Sequence, residues 1–298
     1  MKNYTNFFGN YHPVCQAIYF ISFFFFMIAI NNPAHRVVAT IIIFVYVILL
    51  KGVASIGRSL LYIIPLLIII SVLNPIFNHI GQTVLFYLND EPISLEAVLF
   101  GFFSAVLIVS LVQFFTAFGI CLNAHKLRFL LGRALPAISL MISMVLRYVP
   151  HLRRRLKEIL AVQSTLGLDS TKGRLKTKLS TGSTVLLGLM SLSMEEGIDT
   201  SDSMNARGYY LRGKTHFHTY HYRMRDFICI IAVFGLDILL IIPLFMGVMD
   251  YDIYPVMTPF IKSNQSFFAM VVYAFLAAIP MLANILEEIR WRLLKRKI

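Results

Sequence analysis

Long apolar runs separated by short polar stretches fill the first 121 residues of the chain, and two more apolar runs follow residue 226. A helix needs about 20 mostly apolar residues to cross a lipid bilayer, so each run predicts one membrane-spanning helix. The six predicted spans are Val14 to Ile30, Val37 to Leu50, Leu60 to Leu73, Ser94 to Cys121, Phe227 to Val248 and Phe267 to Leu286. The pattern therefore predicts an all-α polytopic membrane protein with about six transmembrane helices.

The stretch between the fourth and fifth spans has a different pattern, in which polar positions recur within apolar sequence at helical spacing. Two long helices are predicted there, over 135–162 and 184–205. We therefore expect three domains: an N-terminal membrane domain over 1–121, a cytoplasmic helical domain over 122–225, and a C-terminal membrane segment over 226–298.

The first of these two helices carries polar side chains on one face. Ser139, Ser143, Arg147 and His151 recur every four residues, and residues with that spacing lie above one another on a helix. The remaining positions are mostly Ile, Leu, Met and Val, which favours packing against or partly within the membrane. Pro150 is expected to kink or break this helix.

The second helix carries a stripe of small residues, Ser193, Gly197 and Ser201, whose spacing of four lets two helix backbones approach closely. It also carries four carboxylates: Glu195, Glu196, Asp199 and Asp202. Paired carboxylates suggest metal or acid–base chemistry, but no His or Cys lies beside them at ligand spacing. A solvated acidic face is therefore the favoured interpretation.

The basic residues are concentrated in the same region. No Lys or Arg lies between Arg58 and Lys126, whereas the segment from Lys126 to Arg225 holds 17 of the 27 basic residues and only 6 of the 15 acidic ones. Lys and Arg near membrane-spanning helices are retained on the cytoplasmic side. Since six spans return the chain to its starting side, we expect both termini and this basic block to lie in the cytoplasm, with the spans in the plasma membrane.

Composition agrees with a membrane protein. Hydrophobic residues make up 58% and charged residues 14% of the chain, against roughly half and a quarter in soluble proteins. A net charge of +12 favours the anionic inner leaflet of the lipid bilayer as a partner, and no nucleic acid is expected. Cys15, Cys121 and Cys229 are far apart in sequence, so they predict neither a metal site nor a disulfide framework.

The letters from Gly208 to Thr215 match the phosphate-loop pattern G-x-x-x-x-G-K-[ST]. That pattern binds phosphates when a strand leads into the loop and a helix follows it. Here a predicted helix comes before the pattern, and a polar stretch rich in His follows it. We expect no nucleotide binding at this position and no other cofactor.

Two further functional classes remain as alternatives. His216, His218 and His221 form a cluster that suggests a membrane-bound metal-dependent enzyme, although an interfacial belt of aromatic and His side chains is favoured. A channel or secondary carrier is the third class. It is disfavoured because Glu96 and Asp237 are almost the only ionisable residues in the spans, and carriers need charges at depth.

Several short segments, taken together, are similar to one family, the transmembrane T component of energy-coupling factor (ECF) transporters. The segments are Ile93-Ser94-Leu95-Glu96, Arg147-Tyr148-Val149-Pro150, Gln163 with Gly167-Leu168-Asp169, and Ala206-Arg207-Gly208-Tyr209. The resemblance extends from about His12 to Asp226. Ala-Arg-Gly alone is a weak signal, but its place at the end of a long helix, in order with the other segments, makes it more specific.

The resemblance implies a coupling subunit without catalytic activity of its own. In that family two long cytoplasmic coupling helices cross, and each ends in an Ala-Arg-Gly motif that docks on one of two ABC ATPase subunits. A separate substrate-binding S component sits in the membrane and determines whether a vitamin, a metal ion or another micronutrient is taken up. Ala206, Arg207 and Gly208 match the second motif, and Arg207 is suited to a charge-assisted pair with a carboxylate.

The chain departs from the family at the first docking motif. Thr165, Leu166 and Gly167 occupy that position, with Leu166 in place of the arginine. A charge-assisted contact cannot form there, so we expect the two docking ends to be chemically unequal. Arg147 and Pro150, together with the Ser193, Gly197 and Ser201 stripe, are expected to support the coupling helices.

Overall fold

The computed structural model describes residues 6–52, 55–78, 81–88, 91–165, 175–209, 211, 220–251, 253, 259 and 263–295. These residues are almost entirely helical. They divide into two compact units, one formed by Met1–Leu127 with Tyr220–Ile298 and the other by Arg128–Thr219. We call them the first unit and the second unit.

The elements follow one another along the chain after a single 3₁₀ turn at Phe8–Asn10. They are α1 (Pro13–Ala29), α2 (Pro33–Lys51), α3 (Ile56–Phe77), β1 (Val84–Leu88), β2 (Glu91–Ser94), α4 (Leu95–Cys121), α5 (Ala124–Ala134), α6 (Pro136–Thr165), α7 (Leu175–Ala206), α8 (Met224–Phe245) and α9 (Asn264–Lys295).

The predicted class is confirmed: the chain is an all-α polytopic membrane protein. Helices α2, α3, α4, α8 and α9 are long and apolar enough to cross a bilayer, and α1 is a shorter apolar helix of 17 residues. Helices α1 and α2 begin at Pro13 and Pro33 because proline suits the first helical position. The side chains of His12 and Asn32 cap them, accepting hydrogen bonds from Val14 N at 3.3 Å and Ala34 N at 3.0 Å.

A small hairpin, absent from the sequence prediction, comes before α4. Strand β1 pairs with β2 in antiparallel register, and the hairpin is held against the start of α4 by Glu96. This carboxylate accepts hydrogen bonds from the backbone N–H of Thr83 at 3.2 Å and from its hydroxyl at 2.5 Å. Ser94 ends the hairpin and caps α4, because its Oγ accepts from Ala97 N at 3.3 Å.

The core of the first unit is aromatic and lies between α1, α4 and α9. The Phe23 ring stacks on Tyr273 at 5.7 Å and on Phe114 at 6.0 Å, and Phe20 meets Phe114 edge-on at 5.6 Å. These are the separations at which offset and edge-to-face ring pairs are favourable. Helices α3 and α4 pack more closely, at Gly101, where an added Cβ would lie only 3.0 Å from the carbonyl oxygen of Ser71.

A buried lysine fixes the N-terminal segment. Lys126, only 9% exposed, donates from Nζ to Gln16 Oε1 at 3.1 Å, to the Cys121 carbonyl at 2.6 Å and to the Gly9 carbonyl. Burial lowers the pKa of Lys126, and three oxygen acceptors compensate for the lost hydration of the ammonium group. Cys15, Cys121 and Cys229 are free and buried.

Candidate functional site: the α6–α7 helix pair

Helices α6 and α7 are the long helices of the second unit, and both differ in extent from the prediction. Helix α6 runs without interruption through Pro150, so the expected break at that residue is wrong. Helix α7 begins at Leu175, nine residues before the predicted start at Thr184. It therefore has 32 residues and extends well beyond its apolar middle.

The polar stripe on α6 contacts α5 with its first two members. Ser139 Oγ donates to the carbonyl oxygen of Arg128 at 3.0 Å, and the Arg128 guanidinium donates to Ser143 Oγ at 3.1 Å. A Cβ added at Gly132 of α5 would lie 3.0 Å from Ser139 Oγ, so the two helices are close here. The predicted shared face of α6 is thus occupied by contacts with neighbouring helices.

The next part of that face binds α7 through Glu196. Its carboxylate accepts from the Tyr148 hydroxyl at 2.7 Å, lies 2.9 Å from His151 Nε2, and lies 3.6 Å from Arg155 Nε. The Tyr148 hydroxyl is also 3.3 Å from the Ser193 carbonyl oxygen. We call Tyr148, His151, Arg155 and Glu196 the Glu196 cluster. It joins the two helices at one point.

The cluster changes the acid–base properties of its members. Hydrogen bonds from His151 and Tyr148 lower the pKa of Glu196, because they favour the charged carboxylate. The hydrogen bond that the Tyr148 hydroxyl donates to this carboxylate raises the pKa of Tyr148, because ionisation of the phenol would remove it. Glu195, Asp199 and Asp202 are exposed, whereas Glu196 is only partly exposed and pairs with α6.

Helix α7 ends in a Schellman motif centred on Gly208. This residue has a positive φ of 76°, and its N–H donates to the Asn205 carbonyl at 2.9 Å while Tyr209 N donates to the Met204 carbonyl at 3.0 Å. Glycine is favoured at this position because a left-handed backbone costs other residues energy. Arg207 is the residue immediately before Gly208, and its side chain is exposed.

A cleft of about 550 Å³ lies between α6 and the last turns of α7. Its lining includes Ser143, Met144 and Arg147 from α6, and Asp199, Met204 and Arg207 from α7 and its end. The polar face of α6 therefore continues from the α5 contacts through this cleft to the Glu196 cluster. Arg147, predicted only as a supporting residue, and Arg207 open onto the same space.

The small-residue stripe on α7 is not packed as its pattern suggested. Ser193 contacts α6 through its backbone carbonyl, whereas an added Cβ at Gly197 would meet no atom within 4 Å. Ser201 is exposed. Close approach of helix backbones is thus not seen at Gly197 within the described part of this chain.

The first docking motif is only partly described. Helix α6 ends at Thr165, whose hydroxyl donates to the Val162 carbonyl at 2.6 Å. Leu166 and Gly167 lie outside the described residues, as do His216 and His218 and most of the phosphate-loop match. Of that match, Gly208 caps the end of α7, so the element before it is a helix, as the sequence predicted.

Within the described ranges, no group of three or more His, Cys, Asp or Glu side chains could hold a metal ion. The roles of Tyr148 and Glu196 were missed by the sequence analysis. A signal for them existed, because Tyr148 belongs to the Arg147-to-Pro150 segment and precedes the His151 position of the polar stripe. Nothing in one sequence paired them with a particular carboxylate on α7.

Comparison with known proteins identifies what the chain resembles. A family model described as cobalt transport protein (CbiQ) matches residues 11–217. The chain is 32% identical over 92 residues to the energy-coupling factor transporter transmembrane protein EcfT 1 of Listeria monocytogenes, covering 30% of this chain and 35% of that protein. It is 31% identical over 104 residues to EcfT of Streptococcus thermophilus, covering 35% and 39%.

EcfT of Lactococcus lactis subsp. cremoris is 28% identical to the chain over 106 residues, covering 35% of this chain and 40% of that protein. The chain thus spans little more than a third of the length of these curated relatives. The family match is longer and includes the whole α6–α7 pair with its Schellman end.

Proposed function

This chain belongs to the cobalt transport protein (CbiQ) family as the transmembrane T component of an ECF transporter, and from that premise we propose that it couples ATP hydrolysis to uptake. It has no catalytic role of its own. Two cytoplasmic ABC ATPase subunits dock on the ends of α6 and α7, and their movement passes through this helix pair to a substrate-binding S component in the membrane.

The observation that carries the proposal is the end of α7. The Schellman motif satisfies the backbone carbonyls of Met204 and Asn205 and leaves the Arg207 side chain exposed beside two small residues, Ala206 and Gly208. A guanidinium displayed in this way is suited to a bidentate pair with a carboxylate. We assign Ala206, Arg207 and Gly208 to one ATPase-docking end, and Thr165, Leu166 and Gly167 to the other.

The exposed apolar surface of α7 supports a membrane partner. Leu186, Met190, Met194 and Ile198 recur every four residues and are 59% to 69% exposed. An apolar stripe of this length on a helix marks an interaction surface, and methionine adapts to partners that move. Gly197 lies beside this stripe and meets no atom of this chain, so we propose that the S component covers this face.

We further propose that the transported compound is a micronutrient, either a vitamin or a metal ion, and that the S component selects it.

The basic block supports a topology in the plasma membrane with both termini and residues 122–225 in the cytoplasm. A cysteine introduced at Lys172, in a variant without the native cysteines, should react with an impermeant reagent only after the membrane is opened. Labelling from outside intact cells would refute this topology.

The decisive experiment is reconstitution. The chain should be co-expressed with ATPases and an S component from the same genome, purified, and assayed for ATP-dependent uptake in liposomes. Arg207→Ala should abolish most uptake, because removing one partner of a buried charge pair costs about 2–5 kcal/mol. Lys214→Ala, in the phosphate-loop match, should leave hydrolysis unchanged. Full assembly and uptake by Arg207→Ala, or collapse of hydrolysis in Lys214→Ala, would refute the proposal.

A further inference from the structure

Two arginines, Arg147 and Arg207, line the cleft between α6 and the end of α7. Neither forms an ion pair or a hydrogen bond with any residue that the structure describes. By contrast, Arg155 on the same α6 helix pairs with Glu158 at 3.1 Å and approaches Glu196 at 3.6 Å. The exposed Arg153 and Arg154 of α6 are likewise unpaired among the described residues, and what distinguishes Arg147 and Arg207 is that both line one cleft.

The charge inside the cleft is unbalanced. Two guanidinium groups face one carboxylate, that of Asp199, so the lining carries two positive charges and one negative charge, a net charge of +1. Arginine stays protonated in proteins and offers five N–H donors in a planar fork. One additional carboxylate would neutralise the lining and supply oxygens to both forks.

The helix end leaves Arg207 available for such a contact. Arginine near a helix C-terminus often hydrogen-bonds the last carbonyl groups, but here the N–H groups of Gly208 and Tyr209 already bind those of Asn205 and Met204. Arg147 is placed by the helical spacing of four from Ser143, which in turn accepts a hydrogen bond from Arg128 at 3.1 Å. The side chains of Arg147 and Arg207 therefore both extend from backbone that neighbouring hydrogen bonds hold in place.

We propose that this cleft receives an acidic side chain of the ATPase subunit that docks on the end of α7, with Arg147 and Arg207 sharing its carboxylate. The inference rests on the proposed function and extends it, since it makes Arg147 a docking residue and places the partner's side chain inside this chain. Met144 and Met204 supply an adaptable apolar wall for the stem of that side chain. A carboxylate shared in this way binds α6 and α7 together.

The test measures the affinity of the purified ATPase subunits for the chain in lipid nanodiscs. Arg147→Ala and Arg207→Ala should each weaken binding about tenfold or more, the typical effect of losing a hydrogen bond to a charged group. The double variant should bind the ATPase more weakly than either single variant. Its total loss of affinity should nevertheless be much smaller than the product of the two single losses, because the two arginines share one carboxylate. Arg147→Lys should retain part of the affinity, since it keeps the charge and loses the fork.

Two further variants separate the proposal from misfolding. Arg153→Ala removes an exposed arginine from α6 outside the cleft lining and should leave the affinity unchanged. Asp199→Asn removes the competing carboxylate and should strengthen ATPase binding. A gain of affinity cannot arise from damage to the fold, so unchanged or weaker binding by Asp199→Asn would contradict the proposal.

The remaining outcomes distinguish this inference from the function on which it rests. Wild-type affinity in Arg147→Ala, with weak binding in Arg207→Ala, would refute the shared carboxylate and leave the coupling function intact. Loss of co-purifying phosphatidylglycerol in Arg147→Ala, with ATPase affinity unchanged, would refute it by showing a lipid phosphate in the cleft. No binding of any ATPase by the wild-type chain would refute the proposed function itself.

Discussion

Tyr148 of α6 donates a hydrogen bond of 2.7 Å to the carboxylate of Glu196 on α7. The two residues are 48 positions apart in sequence, and the contact joins the two longest helices of the second unit. His151 reinforces it from the next turn of α6, at 2.9 Å. Under the proposed function, a docking event at the end of one helix would be transmitted to the other through this contact.

Loosening this contact should uncouple the helices without unfolding them. Tyr148→Phe and Glu196→Gln remove the hydroxyl and the charge, respectively, while keeping side-chain size. We expect both variants to assemble with their partners and to hydrolyse ATP, but to transport less substrate for each ATP consumed. The matched control is Glu195→Gln, an exposed neighbour on α7, which should transport normally. Equal amounts of substrate transported for each ATP consumed in Glu196→Gln and Glu195→Gln would contradict the prediction.

The same cluster gives an expected pH dependence. The folded state lowers the pKa of Glu196. The stability that this residue contributes is therefore fully present above the usual pKa of a glutamate side chain, and it is lost as the pH falls through the lowered pKa. The α6–α7 contact should thus be intact near pH 7 and weaken in strongly acidic solution. Thermal unfolding of the purified chain, followed between pH 7 and pH 3, should show a smaller acid-induced loss of stability in Glu196→Gln than in wild type.

Replacement of Gly208 should disturb the docking end. Alanine there requires a left-handed backbone, at a cost of about 1–2 kcal/mol, and its Cβ would lie 2.9 Å from Leu211 Cδ1. Gly208→Ala should therefore displace Arg207 and reduce the amount of ATPase that co-purifies. Gly188→Ala is the matched control, because its Cβ would meet no atom within 4 Å and alanine favours a helix interior by about 0.5–1 kcal/mol. Normal ATPase recovery with Gly208→Ala would contradict this account.

The contact between α3 and α4 provides a test of the membrane core. Gly101→Ala places a methyl group 2.8 Å from Asn74 Cβ and 3.0 Å from the Ser71 carbonyl oxygen. Overpacking of this kind costs about 1–3 kcal/mol, so the unfolding temperature in detergent should fall. Gly119→Ala, on the same helix and without a neighbour within 4 Å, should leave it nearly unchanged. A larger fall in unfolding temperature for Gly119→Ala than for Gly101→Ala would mean that α3 and α4 do not pack at Gly101.

The two docking ends should respond differently to mutation. Leu166 offers apolar burial worth about 1.5–3 kcal/mol at most, so Leu166→Ala should reduce ATPase recovery less than Arg207→Ala. Leu166→Arg restores the family's residue. It should weaken docking if the facing pocket is apolar, since the charge would be unpaired, and should strengthen docking if the ATPase retains a carboxylate there. Measuring the recovery of each ATPase separately would distinguish an apolar pocket from one that holds a carboxylate. A greater loss of ATPase recovery in Leu166→Ala than in Arg207→Ala would contradict the prediction.

Much of the fold was predictable because apolar run length alone identifies a membrane span. The α4 helix begins within one residue of its predicted start, where Ser94 supplies a side-chain cap. Helix α5 was missed because Ala124–Ala134 is short and basic and has no apolar run. The β1–β2 hairpin was missed because its strands have only five and four residues and lie between two apolar spans.

The site was predictable in its residues and not in its contacts. The spacing of four on α6 placed Arg147 and His151 on one face, and the structure brings that face to α7. The partner Glu196 lies on a helix whose start was wrongly placed at Thr184, and Arg207 follows the end of that helix. Pro150 shows the opposite limit, since α6 continues through it although proline lacks the backbone donor that a helix interior uses.

The position of the Glu196 cluster along α7 sets a mechanical ratio. Arg207 lies 11 residues beyond Glu196, about 16 Å along the helix axis, whereas Leu175 lies 21 residues before it, about 32 Å away. If α7 turns as a rigid body about Glu196, a displacement at Arg207 is roughly doubled at Leu175 and reversed in direction. Under the proposed function, a small movement of the docked ATPase subunit would therefore become a larger displacement at the start of α7.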